Sequence, residues 1–176
     1  MIKAIERKIA FLPMVLILII GLGTEVRLFF TADGSLKAIL MAVLLVIQLI
    51  AAISDLSTGL IPFWLVFPAL VLGMLIILIF DGTSSMLGHI LGGVLSFFIF
   101  AFFMVLTRGQ IGGGDLLLFA LTGFFFGFSM IPGILFLSII LSGMFSVFLI
   151  VFKKTGLKTE IPFAPFILLA TAILNF

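Results

Sequence analysis

The chain has 176 residues, 64% of them hydrophobic and only 9% charged, with 23 Phe, a mean hydropathy of +1.57 and a formal net charge of +2. No soluble domain of this length has interior enough for that much apolar surface, so the chain is an integral membrane protein. The absence of Cys excludes disulfides, thiol nucleophiles and cysteine-ligated metals, a single His argues against a histidine-built metal centre, and nine scattered basic residues are too few for a nucleic-acid face.

The apolar runs predict an all-α, polytopic helix bundle. With no lipid-facing polar backbone allowed and no alternating ten-residue strands, the spans must be helices rather than a barrel. In chain order they fall at 9–30, 37–54, 62–80, 86–106, 115–129, 131–152 and 162–176, about seven helices in all. The last is read as either a tilted span or a re-entrant segment, because about fifteen residues reach only some 22 Å as a helix. Residues 1–22 also look like a signal peptide, with Lys3, Arg7 and Lys8 ahead of an apolar stretch, and are read as an uncleaved first helix. We expect one domain over 1–176, with 1–36 an additional N-terminal helix and loop and 37–176 the working core.

Basic residues orient the bundle. With the N-terminus in the cytoplasm, Lys3, Arg7, Lys8, Arg108, Lys153, Lys154 and Lys158 lie inside, and only Arg27 and Lys37 outside. The breaks at 54–61 and 107–115 then share the cytoplasmic side of a cell membrane. Two helices separate them, so they share a side in either orientation.

Each of these breaks carries an acid. Asp55 closes the second predicted helix and is followed by Ser57-Thr58-Gly59-Leu60-Ile61-Pro62, while Asp115 opens the fifth after Gly112-Gly113-Gly114. An ionisable group at membrane depth costs several kcal/mol unless it finds a partner or water. Taken singly, Asp115 reads as a helix cap and Asp55 as a solvated loop acid. Taken as a pair, they supply what peptide hydrolysis needs without a metal or covalent nucleophile: one carboxylate to take a proton from water and one acid to polarise the scissile carbonyl. Two carboxyls about 3 Å apart cannot both ionise, and this separates those roles. The triple glycine leaves backbone exposed for an extended substrate segment.

These residues resemble the type IV prepilin peptidases and archaeal preflagellin peptidases, which belong to the Gly-x-Gly-Asp membrane aspartyl proteases. Three blocks match in order over residues 40–176: Asp55 with Leu60-Ile61-Pro62, then Gly112-Gly113-Gly114-Asp115 sixty residues on from the first acid, then Ile161-Pro162-Phe163-Ala164-Pro165-Phe166. Ser57, Phe63 and Leu117 stand where many relatives carry a basic residue, Asn and Lys. The resemblance implies an aspartyl endopeptidase that removes the cytoplasmic leader of pilin-like or archaellin-like precursors held in the bilayer. Catalysis would fall to Asp55 and Asp115, with Gly112, Gly113, Gly114 and Pro62 on the substrate, and no metal or cofactor. The larger bacterial relatives also methylate the new N-terminus through a cysteine-bearing cytoplasmic domain, and this cysteine-free chain is expected not to. Two rival readings are a presenilin-like or signal-peptide-peptidase-like intramembrane protease, and a small proton-coupled transporter using the two acids as a relay.

The remaining signals read as structure. His89 is a packing or interfacial residue, Trp64 an aromatic-belt anchor, and Gly88-x-x-x-Gly92 with Gly123-x-x-x-Gly127 a means of close helix packing within the bundle.

Overall fold

Backbone without water to pair with must close its hydrogen bonds within the segment, and every regular element among the described residues is a helix. The structure, a computed structural model, describes residues 35–80, 82–107, 112–153 and 161–174. In chain order the helices are α1 (Ser35–Thr58), α2 (Phe63–Phe80), α3 (Thr83–Leu106), α4 (Gly113–Phe126), α5 (Ile131–Lys153) and α6 (Ala164–Leu174), with a single 3-10 turn, Phe128–Met130, between α4 and α5. Segments of α1, α2, α3 and α5 are long and apolar enough to cross a membrane, while α4 and α6 are shorter. The protein is a multi-pass membrane helix bundle.

The predicted span at 9–30 lies outside the described residues, as do Lys3, Arg7, Lys8, Arg27, Arg108, Lys154 and Lys158 of the charge bias. The other six predicted helices are present with shifted ends. The second runs on to Thr58, so that Asp55 sits inside its last turn rather than after it. It stops there because Gly59 adopts a positive φ of 71° and returns its N–H to the Asp55 carbonyl at 2.8 Å. The fifth ends at Phe126 because Gly127, at φ 69°, turns the chain toward α5. At 11 residues α6 is about 16 Å long, well short of a hydrocarbon core of about 30 Å.

Short α4 is the centre of the bundle. Leu118, Phe119 and Leu121 are fully buried, and α3 lies along the helix with Gly92 against the Gly123 carbonyl and Gly127. A methyl group at either Gly92 or Gly123 would collide with the facing backbone, so the two small-residue stripes meet within the bundle as the sequence predicts. His89 on α3 is a packing residue whose ring Nδ1 lies 2.7 Å from the Phe124 carbonyl, closing the end of α4. Trp64 is exposed at the start of α2, where a belt residue belongs.

Candidate active site

Four helix ends meet where the two acids lie. The polar turn after α1 is held by its own side chains: Ser54 Oγ donates to the Leu60 carbonyl at 2.9 Å, and Thr58 Oγ1 donates to the Ser54 carbonyl at 2.9 Å. Ile61 lies against the start of α4. Gly114 accepts it, since a side chain there would run into Ile61. The third glycine of the triplet is thereby taken up by Ile61, while Gly112 and Gly113 stay exposed. Pro62 is half-buried, and its carbonyl accepts the Leu65 N–H at 3.0 Å, opening α2.

Asp55 is not a solvated loop acid. It is buried, and its Oδ2 accepts the Ala164 N–H at 3.1 Å. This is the first amide of α6, whose N-cap position is filled by Phe163, a residue with no capping oxygen. Pro165 removes one orphan donor and the Phe166 N–H turns back to the Phe163 carbonyl at 3.0 Å, so a carboxylate from another helix completes the cap. The late proline-rich block thus receives Asp55 as a fixed acceptor. Phe163 is in turn held by Phe100 of α3, ring centroids 6.0 Å apart, and Phe100 stacks on Phe119 of α4 at 4.9 Å.

Asp115 occupies the third position of α4, with its Oδ2 folded back beside Gly112 at the helix start. That contact uses part of the carboxyl only. Its Oδ1 is buried with no hydrogen-bond partner among the described residues. Asp55 lies close enough for its charge to act on Asp115, so two acids sixty residues apart in sequence share one polar cluster. Among the described residues no group of His, Cys, Asp and Glu could hold a metal ion. Of the residues named from the sequence, Asp55, Asp115, Gly112, Gly114 and Pro62 gather at this end of the bundle, with Gly113 on its open rim.

Sequence reasoning missed the backbone amide of Ala164. It also missed Gln48 on α1, which is fully buried and donates through Nε2 to Thr122 Oγ1 at 2.9 Å and Thr171 Oγ1 at 3.1 Å. One signal was available for the second: Gln48 is the lone amide in a long apolar run.

A profile of the type IV leader peptidase family matches residues 42–147, a range that holds both acids. Over 136 residues, 74% of this chain, the sequence is 29% identical to the prepilin leader peptidase/N-methyltransferase of Bacillus subtilis (strain 168). The match covers 52% of that protein, so the chain spans about half the length of this curated relative. No solved structure matches significantly.

Proposed function

Because this chain belongs to the type IV leader peptidase family, we propose that it is a membrane aspartyl endopeptidase that removes the cytoplasmic leader of pilin-like or archaellin-like precursors. The observation that carries the reading is the convergence of Asp55 and Asp115 from separate helices, one bonded to the start of α6 and the other with a free buried oxygen. Such a pair shares one proton and titrates as a unit. The ionised member takes a proton from water as its oxygen bonds to the scissile carbonyl carbon. The protonated member gives its proton to the carbonyl oxygen, and collapse of the tetrahedral intermediate breaks the C–N bond with proton transfer to the leaving amine. The exposed backbone at Gly112 and Gly113 pairs with the extended leader, and Gly114 and Pro62 set the wall beside it. The precursor's hydrophobic helix stays in the bilayer alongside the bundle. On this reading the peptidase core lies within residues 37–176.

Incubating the purified chain with a pilin-like precursor and a methyl donor, then weighing the product, tests this reading. The expected product begins at the hydrophobic segment and carries a free, unmethylated amine, since these 176 residues contain no Cys. An uncleaved precursor would sink the peptidase reading, and proton flux in proteoliposomes that depends on both acids would favour a transporter. A methyl group added by this protein alone would overturn the single activity.

Sidedness is tested separately in the naturally cysteine-free chain. Cysteines placed at Ser57 and Gly113, both exposed at the site end, should react with impermeant reagent from the cytoplasm, and one at Ser35 from the opposite face. Labelling of positions 57 and 113 from opposite sides would be incompatible with one active-site face.

A further inference from the structure

Asp55, Asp115 and the Ala164 amide come from three helices whose mutual depth the surrounding apolar contacts specify poorly. Leu against Leu in lipid gains little from one register over the next. A polar tie lies two turns below the site, and its spacing is the same in all three helices. Gln48 precedes Asp55 by seven residues on α1, Thr122 follows Asp115 by seven on α4, and Thr171 follows Ala164 by seven on α6. The Gln48 amide nitrogen spans them, donating at 2.9 Å to Thr122 and at 3.1 Å to Thr171. Thr122 Oγ1 passes its own proton to the Leu118 carbonyl at 2.8 Å, which leaves its lone pairs for Gln48. Ser96 and Ser138, equally buried, donate instead within their own helices.

We infer that Gln48, Thr122 and Thr171 are positioning residues, a three-helix clamp that fixes the depth of the two acids and of the amide that holds Asp55. A slide of one helix by a single residue, about 1.5 Å, breaks a bond that nothing apolar can replace. An error of that size at the acids is a catalytic loss rather than a loss of fold. The catalytic half of the inference rests on the peptidase reading above; the geometric half does not.

The test replaces Thr122 and Thr171 singly by Val, which keeps the shape and removes the hydroxyl, and by Ser, which keeps the hydroxyl. Each Val variant should lower kcat about ten- to hundredfold with KM nearly unchanged, and each Ser variant should recover most of the rate. A second measurement follows the side-chain carboxyl carbons of Asp55 and Asp115 by NMR as pH is varied in the full chain. The wild type and Ser variants should titrate as an interacting pair, and the Val variants as two independent groups. Pair titration that survives in both Val variants would overturn the inference whatever the rates. If the wild type cleaves no precursor yet the Val variants lose the pair titration, the peptidase reading falls and the clamp stands.

Discussion

Asp55→Asn and Asp115→Asn should each cut precursor cleavage by at least about a thousandfold while the bundle still inserts and folds. An amide keeps the shape of the carboxyl but can neither take a proton from water nor give one to the substrate. The structure makes the Asp55 variant the sharper of the two. Asp55 has an evident structural duty as the cap of α6, and an inert cap would account for its burial and its bond to Ala164. Asn performs that duty, because its side-chain oxygen accepts the same amide and Asn is as good a cap as Asp. Asp55→Asn therefore removes the acid and spares the cap. Asp55→Ala removes both and should cost a further 0.5–2 kcal/mol or so of stability. Product formation by mass spectrometry and thermal unfolding in detergent separate the two effects. If Asp55→Asn kept more than a tenth of the wild-type rate, the residue would be a helix cap and no more.

Gly123→Val should destabilise the bundle by several kcal/mol, the largest loss of stability we expect from a single substitution. The Gly123 Cα faces the Ser96 side chain and the Gly92 carbonyl, and even a methyl group there overlaps both. Backbone cannot rotate away as a long side chain can, so α3 and α4 must separate and the aromatic contact between Phe100 and Phe119 opens with them. Since α4 carries Asp115, activity goes too. Gly143→Ala, in α5 with nothing near its Cα, is the control and should leave unfolding unchanged. A Gly123→Val protein that unfolds at the wild-type temperature would mean that α3 and α4 do not pack as described.

The amino-acid sequence alone determined the class of molecule, because composition decides the solvent: at this hydropathy the chain must lie in lipid, and lipid permits only helices or closed barrels. It also showed where the helices break, since glycine, proline and short polar residues interrupt apolar runs visibly, and it put both acids at breaks on one side. The distance from Asp55 to the end of its helix was less legible. The apolar run ends at 54 and the helix at Thr58, four residues on, and the stop depends on the positive φ of Gly59. Only the tertiary structure decided what each polar group meets. Asp55 bonds an amide 109 residues away, and Gln48 bonds hydroxyls 74 and 123 residues away. In a soluble helix the apolar stripe points to the core and predicts such partners. In these helices the lipid-facing and the buried sides are equally greasy, with Ile50 and Ile53 exposed beside buried Ala51 and Ala52 on α1. A pattern that is apolar all round does not say which way a helix faces, and the facing is what brings Asp55, Asp115 and the start of α6 together.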